Sequence, residues 1–183
     1  MMIPIKSKHL FVLIAENGIN MSDEITKTLH RAKFINYEVK KMNLFDAPPG
    51  SFLIHAVNCK GVWGSGIAAL FREKFPNAYA AYKLQCKSGY AAVGKFGGCM
   101  YVGWLFTSDG YGTRRDSVDM ILNNTRQSVI SLLEEMPDSA VIYSNKFNSG
   151  LFGVPWEKTE AILLDCLESY NPNGVKWVVC DWD

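Results

Sequence analysis

The sequence has no Cys-x-x-Cys pair, no basic stripe and no apolar stretch long enough to cross a bilayer, and each absence removes a class of protein. Its five cysteines (Cys59, Cys86, Cys99, Cys166, Cys180) are odd in number and scattered, which argues against a disulfide framework and against a zinc site. They read as reduced and intracellular. Lysine plus arginine number 19 against 18 acidic residues, a net charge of +1, so nothing suggests wrapping along a nucleic-acid backbone. An anion must therefore be bound locally. The apolar run "LFVLIA" at 10–15 is too short for a membrane span, and Glu16 and Asn17 follow it instead of a small-residue cleavage site. Neither a membrane partner nor secretion is expected.

What remains is a chain of 183 residues, 48% hydrophobic and 20% charged, enough for one soluble domain with a sizeable core. Short β-rich runs alternate with helical patterns. Strands are expected at 9–14, 34–39, 52–57, 99–106 and 140–144, with a last one at "VKWVVC". Helices are expected from Ser22, from Gly66 to Phe75, from about Asn77 to Lys87, from Asp116 to Glu135, and from Pro155 to Glu168. In the long helix, Val118, Ile121, Leu122, Thr125, Val129, Leu132 and Leu133 fall on one face. The run "FLIHAV" does not alternate and reads as a strand buried on both sides. The fold class is thus α/β, a three-layer α/β/α sandwich around a mixed, largely parallel sheet. Met21 followed by "SDEIT" would make a second plausible chain start, so residues 1–33 are read as an N-terminal extension and 34–183 as the domain.

In an open α/β sheet, ligands sit beyond the carboxyl ends of strands, where loops lead into helices. "NCKGVWGSGIAALF" occupies such a position. Gly61, Gly64 and Gly66 are expected to allow positive φ and close approach, and a helix starting near Gly66 aims free N–H groups at an anion. Neither the P-loop nor G-x-G-x-x-G matches this spacing. A second stretch, "FNSGLFGVPWEKTEAIL", again runs through Asn148, Ser149, Gly150 and Gly153 into a helix. Two such loops on one sheet could clamp a diphosphate, although each also reads as an ordinary strand-to-helix turn.

His55 lies within an apolar strand, where a histidine is more often a hydrogen-bonded core residue than a catalyst; its place near the loop end favours function. Asn58, at the strand exit, suits either a sugar hydroxyl pair or a turn cap. A third loop, "LFTSDGYGTRRDSVDMIL", offers Asp109 and Asp116 as carboxylates that could activate water. Asp116 equally suits the N-cap of the long helix and Asp109 a turn. Arg114 and Arg115 could neutralise a terminal phosphate, though loop arginines are usually solvated.

The stretches "LIHAVNCKGVWGSGIA", "FPNAYAAY", "LFTS" before a glycine loop and "DS", and "NSGLFGVPWEKTE" resemble the macrodomain superfamily, and more narrowly the fungal-type ADP-ribose 1″-phosphate phosphatases. The resemblance runs from about residue 36 to the end. It implies a macrodomain fold and a metal-independent phosphatase that converts ADP-ribose 1″-phosphate, a metabolite of transfer-RNA splicing, to ADP-ribose and phosphate without a cofactor. Gly64, Ser65, Gly66 and Ile67, with Ser149, Gly150, Leu151, Phe152 and Gly153, are implied to hold the diphosphate and distal ribose, and Asn58 to contact that ribose. Asn43 and Leu44 stand where many macrodomains carry "Gly-Asp-Ile" at the adenine end. His55 and Asp116 are implied to be catalytic, with Asp109 the second choice for the carboxylate. The alternatives are a hydrolase of ADP-ribosylated proteins, which would add those proteins as partners, and a non-catalytic ADP-ribose-binding module. A cytoplasmic or also nuclear location goes with these readings.

Overall fold

The computed structural model describes residues 36–182. The expected strand at 9–14, the helix from Ser22 and the boundary after residue 33 lie outside the described residues.

Among the described residues six strands form one sheet: β1 (Tyr37–Lys40), β2 (Phe52–Asn58), β3 (Ala91–Phe96), β4 (Met100–Ser108), β5 (Val141–Ser144) and β6 (Lys176–Cys180). Their order is β1-β6-β5-β2-β4-β3, parallel throughout except for the antiparallel β3–β4 edge pair. The mixed, largely parallel sheet is the one expected. The sequence signals no strand at β3, where Gly94 interrupts a short run. The antiparallel neighbour β4 recruits it.

Among the described residues four α-helices cover the sheet: α1 (Gly66–Lys74), α2 (Pro76–Tyr82), α3 (Val118–Glu135) and α4 (Trp156–Ser169). Side chains of β2 alternate between its two faces. Leu53, His55 and Val57 face a core shared with Trp63, Phe71, Ala78 and Tyr82, on the α1–α2 side. The apolar stripe of α3, including Ile121, Val129, Leu132 and Leu133, is fully buried against β3, β4 and α4. Burying such a side chain contributes roughly 1.5–3 kcal/mol, so these two cores hold the sheet rigid beneath its loops.

Helix α3 begins later than expected. Its N-cap is Ser117, whose Oγ accepts from Met120 N at 3.3 Å. Asp116 stays in the preceding loop, where its carboxylate accepts from a different amide, that of Asp109.

The order β5-β2-β4 has a direct consequence for the loops. These three parallel strands are adjacent and end on the same edge, so the loops after residues 58, 108 and 144 emerge side by side.

Candidate functional site

The loop after β2 is organised by Asn58. Its Oδ1 accepts from Lys60 N at 2.9 Å and its Nδ2 donates to Val62 O at 2.7 Å. Tyr82 Oη donates to the same residue's backbone carbonyl and, at 3.1 Å, to its Oδ1. Asn58 therefore caps the turn and also lines a cleft. Gly66 opens α1 with φ of +58°, a left-handed conformation that side chains other than glycine adopt at a cost. Gly61 is left-handed too, whereas Gly64 is absent from the positive-φ glycines, contrary to expectation.

The loop after β5 is organised by Asn148, itself left-handed at φ +66°. This buried side chain bonds outward: Thr107 Oγ1 donates to its Oδ1 at 2.9 Å, and its Nδ2 donates to Thr125 Oγ1 at 2.8 Å. The second loop is thereby tied to β4 and α3. Its Leu151, 66% exposed, leans across to the first loop. A Cβ added at Gly66 would meet Leu151 Cδ1 at 3.9 Å.

Between the loops lies a cleft of about 770 Å³, within the range of small-molecule sites. Asn58, Gly64, Ser65, Gly66 and Ile67 line it on one side, and Gly150, Leu151 and Phe152 on the other. Gly153 flanks the cleft, beneath the Arg115 guanidinium. Tyr111, Gly112, Thr113 and Arg115, from the loop after β4, form part of the wall. Arg115, expected either to neutralise a terminal phosphate or to be solvated, is thus in the wall, whereas no sequence signal singles out Tyr111, Thr113, Trp63, Asn145 or Phe147. Only the folded path of the loops brings these together.

The residues proposed for catalysis lie elsewhere. His55 is fully buried, with its ring stacked on Phe71 at 4.0 Å between centroids and edge-on to Trp63 at 4.6 Å. Neither ring nitrogen has a hydrogen-bond partner. Burial disfavours the charged imidazolium and pushes its pKa down to about 3. His55 is thus a neutral aromatic packed against Trp63, which lines the cleft, while His55 itself does not. The reason is depth: His55 points to the same face as Leu53 and Val57, but three residues before the end of β2 it does not reach the cleft that Val57 lines.

Asp116 adjoins Arg115 but does not line the cleft. Its Oδ2 accepts from Asp109 N at 3.0 Å, and its own N–H donates to Ser108 Oγ, also at 3.0 Å. These bonds close the 109–116 loop on itself. The carboxylate of Asp109 is exposed and paired with Lys60 Nζ at 2.7 Å. Asn43 caps a 3-10 turn by accepting from Phe45 N at 3.0 Å, and Leu44 is a core residue. The Ser149 hydroxyl donates to Lys146 O. Asn43, Leu44 and Ser149 all lie outside the cleft lining.

The cysteine reading needs correction. Cys59 and Cys86 form a disulfide across 27 residues of chain, tying the first loop to the segment between α2 and β3. Their spacing in sequence carries no such signal, because the fold brings the two loops together. Asp109 lies beside them, with possible ligand atoms of all three residues within 4.8 Å of one another. The sulfurs are already joined to each other, so in this state neither is a thiolate ligand.

The fold agrees with the comparisons with known proteins. The Macro domain family matches residues 54–163. A Meyerozyma guilliermondii protein named ADP-ribose 1″-phosphate phosphatase is 34% identical over 160 residues, covering 70% of this chain and 91% of that protein. A Debaryomyces hansenii protein of the same name is 34% identical over 178 residues, covering 77% and 97%. Among solved structures, the macrodomain of Mycobacterium tuberculosis DarG superposes with a TM-score of 0.64 at 20% identity, covering 79% of this chain and 96% of that one. By this match and these relatives, the chain belongs to the macrodomain family.

Proposed function

We propose that this chain is a phosphatase that hydrolyses ADP-ribose 1″-phosphate to ADP-ribose and inorganic phosphate. The observation that carries the reading is the convergence of both glycine loops on one cleft, in a chain whose curated relatives bear that activity in their names. Backbone N–H groups of the loops, with the positive end of α1 behind the first, suit the diphosphate. Polar side chains at the strand exits, Asn58 among them, suit the distal ribose.

In hydrolysis, water attacks phosphorus, the bond from phosphorus to the sugar oxygen breaks, and that oxygen leaves with a proton. We assign the water to Asp116, whose neighbour Arg115 lines the cleft; neither aspartate lines it, and the carboxylate of Asp109 is paired with Lys60. Asp116 is next in sequence to Arg115, and only one of its carboxylate oxygens is taken up by Asp109 N. His55 receives no proton-transfer role, because it is fully buried, does not line the cleft and is held neutral by its burial. It acts as a packing support for the cleft floor.

The test is to incubate purified chain separately with ADP-ribose 1″-phosphate and with an ADP-ribosylated protein. Phosphate release is expected, falling at least about a hundredfold in Asp116→Asn and persisting in Asp109→Asn. Release of ADP-ribose from the protein without phosphate release would favour the rival hydrolase. Binding of ADP-ribose with turnover of neither would leave a binding module.

A further inference from the structure

The cleft is built to hold anions, yet its lining is almost uncharged. Among the described residues that line it, Arg115 is the single charged side chain. The rest are apolar groups, glycines, hydroxyls and amides. Neutral N–H donors at loops and helix ends suffice for a diphosphate, but a phosphate monoester adds up to two more negative charges. That addition asks for a cation.

Arg115 is placed to supply it. Its Nη1 donates to Gly112 O at 3.1 Å, which holds the guanidinium along the wall of the third loop. The other end of the fork lies over the second loop, with Nη2 3.3 Å from the position a Cβ would take at Gly153. Glycine there leaves the guanidinium room. No carboxylate pairs with Arg115 among the described residues: Asp109 is bound to Lys60, and the carboxylate of Asp116 accepts from a backbone amide. A guanidinium has five N–H donors in a planar fork that matches phosphate oxygens, so most remain for a ligand.

We propose that Arg115 is the specificity-determining residue of this cleft, binding the terminal phosphate that distinguishes ADP-ribose 1″-phosphate from ADP-ribose. The assignment rests on the phosphatase reading for the identity of the phosphate. It predicts that Arg115 discriminates substrate from product and lets ADP-ribose leave after hydrolysis.

The experiment compares wild type, Arg115→Gln and Arg115→Lys, measuring KM for ADP-ribose 1″-phosphate and Ki for ADP-ribose. Loss of a charge-assisted contact is expected to raise KM at least about tenfold in Arg115→Gln. The Ki for ADP-ribose should change less than about threefold, since ADP-ribose lacks the contacted group. Arg115→Lys, which keeps the charge without the fork, should fall between. Equal increases in KM and Ki would overturn the proposal by placing Arg115 on the diphosphate, and no change in either would overturn it by leaving the guanidinium to solvent. If wild type releases no phosphate, the phosphatase reading fails. The Kd values of the same two compounds then decide the Arg115 proposal separately: a preference for the phosphorylated ligand that disappears in Arg115→Gln upholds it, and an unchanged or absent preference sinks it.

Discussion

The two glycine loops look alike in sequence, each leaving a strand through an asparagine, but they hold their shapes by different means. Asn58 spends most of its side-chain bonds inside its own loop, on Lys60 N and Val62 O. Asn148 spends both of its bonds on other elements, at Thr107 and Thr125. The first loop is folded locally and then pinned from outside by the Cys59–Cys86 bridge. The second is folded by its neighbours. Equivalent-looking motifs can thus depend on different parts of a protein, and they should fail differently.

Removing the outside pin should have the largest effect. Closing a loop of 27 residues contributes about 3.5 kcal/mol in the chain-entropy account, so Cys59→Ser with Cys86→Ser should lower the urea midpoint of the oxidised chain accordingly. An unchanged midpoint would mean that the bridge does not constrain the first loop. Next, Asn148→Ala leaves Thr107 and Thr125 without their partner and forces alanine into a left-handed conformation, at a cost of about 3 kcal/mol. Asn58→Ala should cost about 2 kcal/mol, with its loop's local bonds lost and α3 undisturbed. Amide exchange in α3 should therefore speed up locally in the first of these two variants and not in the second; the reverse pattern would erase the distinction between the loops.

The effect smallest at neutral pH, and growing only as the solution is acidified, is a pH dependence beneath the cleft. His55 titrates at about 3 when folded and near 6.5 when unfolded. The unfolded chain therefore binds the extra proton first as pH falls. Stability from this group is intact above about 6.5 and declines toward the folded value by up to about 1.4 kcal/mol per pH unit. His55→Phe preserves the stacked ring and should flatten this part of the acid limb in urea titrations at pH 4–6. If it leaves the limb unchanged and instead abolishes phosphate release, the histidine reaches the reaction after all.

Much of this arrangement could be read from residue order alone. Strand and helix alternation set the layers, and the pairing of asparagine with nearby glycines marked both loops at one sheet edge. The long helix was legible because Ile121, Thr125, Val129 and Leu132 keep helical spacing. The direction of a single strand side chain was harder: the same residues that make β2 a strand bury His55 on one face and Ile54 on the other. Apolar flanks favoured the core, whereas the place near the loop end favoured the cleft, and the order of residues did not decide between them. The disulfide and the place of Arg115 depend on contacts between distant segments, which no local pattern encodes. Asn43 shows the complementary case: the resemblance put it at the adenine end, and its side chain accepts from Phe45 N in a turn.

Leu151 spans the gap between the loops, against Gly66. A diphosphate held between the loops would pass beneath this side chain, like a rod under a strap. Such a ligand threads in lengthwise, or it waits for one exposed leucine to rotate. Rotamer changes of this kind take picoseconds to nanoseconds, so admission to the cleft and escape from it need no movement of the sheet or its helices.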